Sequence, residues 1–132
     1  MTGNRILLDT NIISALLKGD TNIADNIDQS EDVYIPVVVI GELYYGAENS
    51  TQIKKNIINL TKLSNTYEVL PVDMKTAGIY GGIKAKLRKK GTPIPENDID
   101  IWIAAISQQH NLTLVTRDGH FSHVEGLASL NW

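Results

Sequence analysis

The sequence predicts an α/β fold: a central, mostly parallel sheet of four to five strands in three layers, with helices on both faces. Three observations carry this. Short, wholly apolar runs such as Ile6-Leu7-Leu8 lack the alternation of a half-solvated strand and read as strands buried on both faces. Between them, apolar residues recur at i, i+3, i+4 and i+7, the spacing of one helical face. Strand and helix then alternate to the end of the chain, the order of a parallel sheet joined by crossover helices.

Taken in order, the Ile6–Leu8 strand gives way to a short helix from about Ile12 to Lys18, capped by Thr10 or Asn11 and stopped at Gly19. Val33-Tyr34-Ile35 is the second strand, and Pro36 suits a first helical turn. Ile40, Leu43, Tyr44 and Ala47 form the stripe of the next helix, and Ile53, Ile57, Leu60 and Leu63 that of another. Tyr67 to Val72 is a strand, and Asp73 is an N-cap for a long helix with the stripe Met74, Ala77, Tyr80, Ile83 and Leu87. The prolines in Gly91-Thr92-Pro93-Ile94-Pro95 require a loop. Helical spacing returns at Ile99, Trp102, Ile103 and Ile106 up to His110, and Asn111 is placed as the left-handed C-terminal residue. A strand over 112–117, a turn at Asp118-Gly119 and a short strand near Leu127 to Leu130 complete the chain, which is read as one domain over 1–132.

Composition narrows the function. Twelve Lys and Arg stand against fifteen Asp and Glu, a net charge of −3, so nucleic-acid binding must rest on a local patch. The chain has no cysteine, which excludes disulfides, zinc-thiolate sites and thiol catalysis. No apolar run approaches a membrane span, and the N-terminus lacks a secretory apolar core, so a cytoplasmic location is expected and no membrane partner.

The acids are the chemically informative residues. Asp9 closes the first strand, Asp118 follows the 112–117 strand, and Asp98 and Asp100 open a helix. Each alone is a common helix cap, but acids at three separate junctions exceed what capping requires. Glu42 sits mid-helix among Val37, Val38, Val39, Ile40, Leu43, Tyr44 and Tyr45, where it either snorkels outward or faces a polar pocket. Carboxylates converging at the tips of parallel strands repel one another without a cation. Hard oxygen donors point to Mg²⁺ or Mn²⁺.

Four segments carry a family resemblance. Leu7-Leu8-Asp9-Thr10-Asn11-Ile12-Ile13-Ser14 resembles the opening motif of PIN-domain ribonucleases, and Ile40-Gly41-Glu42-Leu43-Tyr44-Tyr45-Gly46-Ala47 resembles their second. Asp100-Ile101-Trp102-Ile103-Ala104-Ala105 is similar to the third, and Leu114-Val115-Thr116-Arg117-Asp118 with Phe121 to the fourth. The likeness spans nearly the whole chain in order and spacing. Its length and ending are similar to VapC-type toxins of toxin–antitoxin pairs.

The resemblance implies a PIN-like fold, a metal-dependent endoribonuclease with transfer RNA among its substrate classes, a VapB-type antitoxin whose tail occludes the site, and a homodimer. It implies that Asp9, Glu42, Asp100 and Asp118 are catalytic and metal-holding, with Asp9 and Asp100 foremost. Thr10, Asn11 and Thr116 are then supporting polar groups. The third motif is doubled, since Asp98 precedes Asp100 by two residues. Spacing favours Asp100 as the ligand and Asp98 as cap or supporting acid, but a later helix start exchanges them.

An acidic cleft requires cations nearby to hold RNA. Lys84, Lys86, Arg88, Lys89 and Lys90 crowd the end of the long helix, where they also complement its dipole. Arg117, beside Asp118, is the better single candidate. The histidines show no metal-ligand spacing. Two other readings remain. One is an inactive PIN-like module that binds RNA or protein. The other is a Mg-binding receiver domain, which lacks its mid-chain acceptor because no Asp lies between Asp32 and Asp73.

Overall fold

The computed structural model describes residues 4–91 and 98–132. Its five strands are β1 (Arg5–Leu8), β2 (Asp32–Pro36), β3 (Glu68–Leu70), β4 (Thr113–Val115) and β5 (Ser129–Leu130). All pair in parallel, in the order β3-β2-β1-β4-β5. The helices are α1 (Thr10–Leu17), α2 (Thr21–Asp28), α3 (Val37–Glu48), α4 (Ile53–Thr66), α5 (Met74–Lys89) and α6 (Ile99–Gln109), with a 3₁₀ turn over Gly119–His123. The predicted α/β parallel architecture is therefore observed, with the full five strands.

The topology positions the site. From central β1 the chain builds outward to β2 and β3, then crosses to β4 and β5 on the other side. The crevice beyond the C-terminal ends of β1 and β4 is the switch point, where open parallel sheets hold ligands. This order also sets aside the receiver-type alternative, whose sheet runs 2-1-3-4-5.

Ile6, Leu7 and Leu8 are fully buried, as are Ile35 and Leu114, which is why the central strands read as unbroken apolar runs. α6 is buried on most of its surface: Ile101, Ile103, Ala104, Ala105, Ile106 and Ser107 all lie inside. Its contacts reach α5, α3 and β4. At its edge the Trp102 ring stacks on Tyr80, centroids 3.9 Å apart and planes 13° from parallel, a favourable aromatic geometry.

Local signals decide the ends. Gly19 has φ +93° after α1, and Asn111 has φ +54° after α6, the left-handed stops expected there. Asp73 accepts from the Thr76 amide while Thr76 Oγ1 accepts from the Asp73 amide, both at 3.0 Å, closing a capping box.

Several expectations need correction. α2 has no counterpart in the predicted elements; its signals are the Asp20 cap, which accepts from the Ile23 amide at 3.1 Å, and the Ile23–Ile27 pair buried beneath it. Pro36 is the N-cap of α3 and ends β2, so it precedes the first turn. The inner face of α3 is Val39, Ile40 and Ala47 with Leu43 packed beside it, whereas Tyr44 lies outside. On α5 the buried residues are Thr76, Ile83 and Leu87; Met74 is 88% exposed, because the capping box turns Thr76 inward. β3, β4 and β5 are shorter than the predicted runs. Of the predicted loop 91–95, residues 92–95 lie outside the described residues.

Candidate active site

Asp9 is the centre of the site. It ends β1, caps α1 through a 2.7 Å bond from the Thr10 amide to Oδ1, and is only 4% exposed. Its other oxygen accepts from Thr116 Oγ1 at 2.6 Å and from Asn11 Nδ2 at 3.4 Å. Thr116 follows β4, so this bond ties the two strands that flank the switch point. The same Thr116 oxygen accepts from the Asp118 amide at 3.0 Å, and Asn11 Oδ1 accepts from the Arg117 amide at 3.2 Å. Asp118 caps the 3₁₀ turn through the His120 amide at 2.9 Å.

Glu42 comes from the second turn of α3, which springs directly from β2. Thr10 Oγ1 donates to its Oε1 at 2.7 Å, so it faces the polar crevice and is not snorkelling. Asp100 lies in the first turn of α6. A helix entering a parallel strand starts at the sheet's C-terminal edge, so that first turn falls beside Asp9.

The electrostatics agree. The Asp100 carboxyl is pushed up to about 6, first by burial and then by the negative charges of Asp9, Asp118 and Glu42. Asp9 is also raised, chiefly by burial, although its bonds from Thr116 and the Thr10 amide pull the other way. Four carboxylates from four parts of the chain thus feel one another's charge. Among the described residues, no three acids or imidazoles are drawn tightly enough to form a ready-made ion shell. The donor set nonetheless fits a hard divalent cation: all-oxygen, anionic, partly buried and self-repelling without one.

The remaining predicted residues divide. Asp98 turns away. It occupies the N-cap position of α6 without a side-chain cap bond, and Oδ2 accepts from Tyr80 Oη at 2.7 Å and Lys84 Nζ at 3.0 Å. That settles its geometry as a clamp between α5 and α6 and engages Lys84 in an ion pair. Arg117 is engaged too, with Nε on the Trp132 carbonyl at 2.9 Å and its guanidinium on Asp20 at 3.2 Å. Lys86 and Arg88 stand exposed on the last turns of α5.

His120, whose spacing suggests no ligand role, stands at the rim of the site. The His120 ring nitrogen Nδ1 lies 2.7 Å from Asp118 Oδ1, and His120 lines the same notch as Asp100. Its position two residues after a motif acid was the available signal.

Fold and acids together define a small parallel α/β domain with a carboxylate centre at its switch point. The PIN domain model matches residues 6–127. The chain is 34% identical over 131 residues to Ribonuclease VapC2 of Haemophilus influenzae, covering 97% of this chain and 98% of that one. It is 30% identical to the tRNA(fMet)-specific endonuclease VapC of Shigella flexneri, over 97% of this chain and 98% of that one. Among solved structures, a DNA-bound VapBC from Salmonella typhimurium superposes with TM-score 0.89 at 28% identity, covering 98% of each chain. The chain belongs to the PIN-domain family, among its VapC-type ribonucleases. Among the described residues, no helix is long and apolar enough to cross a membrane.

Proposed function

We propose that the chain is the endoribonuclease toxin of a VapBC-type pair, and that Asp9, Glu42, Asp100 and Asp118 act with Mg²⁺ or Mn²⁺ to hydrolyse RNA phosphodiester bonds. The observation that supports this is the convergence of acids at the switch point, where Thr10 bonds both Asp9 and Glu42 and Thr116 bonds both Asp9 and the Asp118 amide; the raised Asp100 carboxyl agrees with it. When bound, such an ion supplies an activated water and neutralises charge on the phosphoryl centre.

The chain's own residues do the positioning. Asp9 is fixed by Thr116, Asn11 and the Thr10 amide, so one of its oxygens cannot swing away from the crevice. Thr10 fixes Glu42 in turn. Asp100 is half-buried and its carboxyl is raised to about 6 by burial and by its acidic neighbours; with Asp9, Glu42 and Asp118 it would hold the cation, whose charge would favour the full anionic set. Asp118 and His120 form a carboxylate–imidazole pair at the rim, beside the cluster.

Transfer RNA is the proposed substrate class, supported by the Shigella relative's specificity. The proposed partner is a VapB-type antitoxin, with a homodimer as the assembly. A cavity of about 540 Å³ runs from Thr10 and Glu42 between α1, α3 and α4. With Leu17 exposed on its wall, it suits an antitoxin segment reaching toward the acids.

The test is cleavage of a total transfer-RNA pool by purified, antitoxin-free protein with Mn²⁺ or Mg²⁺, with the cut ends sequenced. The reading expects discrete ends that vanish with chelator and with Asp100→Asn. A wild type as inert as that variant favours the inactive binding module.

A further inference from the structure

We propose that Lys86, Lys90 and His123 form a track for the phosphate backbone of single-stranded RNA, leading into the acidic site at Asp100. This rests on the nuclease reading and assigns the substrate's path across the surface. Two adjoining hollows carry it. The outer one, about 200 Å³, lies between the end of α5 and the 3₁₀ turn, and Lys86, Lys90, Gln108, His123 and Glu125 line its polar side. The inner one is a mostly apolar notch of about 10 Å³, room for a single water, bounded by Asp100, His120 and Phe121, so a strand crosses over it and does not enter it. Leu87, His123 and Val124 border both, so the lysine end of α5 and Asp100 are separated only by these three side chains.

The chemistry of this surface suits a polyanion with apolar bases. Lys86, Lys90 and His123 are all exposed and supply N–H donors to phosphate oxygens; imidazole keeps one donor even when neutral. Glu125 offsets part of the charge by pairing with Lys90 at 3.0 Å, an exposed pair that contributes little and exchanges readily for a phosphate. Arg88 and Lys89 add to the field from the same helix end. The other predicted cations are less suited: Lys84 and Arg117 line neither hollow. A centre holding four carboxylates repels RNA at long range, so a cationic approach on one side sets the direction from which the strand enters.

The test uses Asp9→Asn protein, so that RNA is bound and not cut, and a fluorescein-labelled single-stranded RNA oligonucleotide. Anisotropy gives Kd as a function of salt. Lys86→Glu, and Lys86→Gln with His123→Ala, are compared with Lys62→Glu, an equal charge change on α4. The track predicts a Kd about tenfold weaker and a shallower salt slope for the first two, with Lys62→Glu near the parent. Equal effects from Lys86→Glu and Lys62→Glu overturn the track while leaving the nuclease reading in place. So does unchanged RNA binding with loss of the antitoxin complex, which assigns the hollow to a protein partner. If the parent binds no RNA even at low salt, the track falls, while cleavage by the wild type decides the nuclease reading.

Discussion

Thr116 and Asp9 stand 107 positions apart and share a buried hydrogen bond of 2.6 Å. The bond does two jobs. It satisfies a carboxylate that burial would otherwise drive toward its neutral form, and it locks β4 to β1 at the switch point. Removing the hydroxyl while keeping the shape exposes both roles. Thr116→Val is expected to lower stability by about 1–2 kcal/mol, since one lone pair of a buried acid loses its donor. Urea unfolding in chelator checks this; a change within about 0.5 kcal/mol, the range of neutral surface substitutions, contradicts the role given to this bond.

The raised Asp100 carboxyl makes stability depend on pH in a definite sense. Its folded value, about 6, lies above the ordinary 3.8. The folded state therefore holds the proton more tightly than the unfolded chain. The stabilisation from this group is complete below about 3.8 and is lost as pH rises through 6. Asp100→Asn removes the ionisation. Without metal, the variant's melting temperature relative to the wild type should rise as pH goes from about 4 to about 6 and level off above that. A difference that is flat across that range contradicts the repulsion.

The doubled third motif yields a separation of roles. Asp98 is held below the usual carboxylate range by its bonds from Tyr80 and Lys84, and it lies outside the acid cluster. Asp98→Ala should retain most of the cleavage rate and change stability little, because the pair it breaks is largely exposed. Asp100→Ala should lower the rate by a hundredfold or more, on the order expected for removing a central electrostatic group. Parallel assays on one transfer-RNA substrate distinguish them, and equal losses would return Asp98 to the site.

Most of this arrangement is legible in the residues, and the reasons are specific. Asp9, Glu42, Asp100 and Asp118 stand out because each interrupts or ends an apolar run, and because the surrounding motifs resemble one family. The left-handed stops at Gly19 and Asn111 are legible because few residues tolerate that backbone. α2 escapes because its eight residues carry only Ile23 and Ile27 as large apolar groups, too few for a visible stripe. The outward turn of Met74 escapes because a local capping box, not hydrophobic spacing, fixes the rotation of α5. The partners of Arg117 lie 97 and 15 positions away, and no sequence pattern relates a surface arginine to such partners. His120 escapes because its nearness to Asp118 depends on the 3₁₀ turn between them.

Glycines on α5 give a prediction independent of the chemistry. A Cβ added at Gly78 or Gly81 meets nothing within 4 Å, and both residues are exposed mid-helix. Gly81→Ala should stabilise the isolated chain by about 0.5–1 kcal/mol, through helix propensity and the restricted unfolded chain. Thermal or urea unfolding measures it directly. A clear loss of stability contradicts the open helical surface found around Gly81.

Divalent ions provide the last test, through stability alone and without any substrate. An ion that binds only the folded state stabilises it by an amount set by its concentration over its Kd, about 2.7 kcal/mol at a hundredfold excess. Mn²⁺ titrated into the wild type at pH 7 should raise the melting temperature, and chelator should return it. The same titration near pH 6 should release protons, because Asp100 is part-protonated there before the ion arrives. Asp9→Asn combined with Asp100→Asn should abolish both effects while leaving a folded protein, since each amide keeps the volume and part of the hydrogen bonding of the acid it replaces. If the double variant gains as much from Mn²⁺ as the wild type, the ion binds elsewhere and the four acids are not its cage.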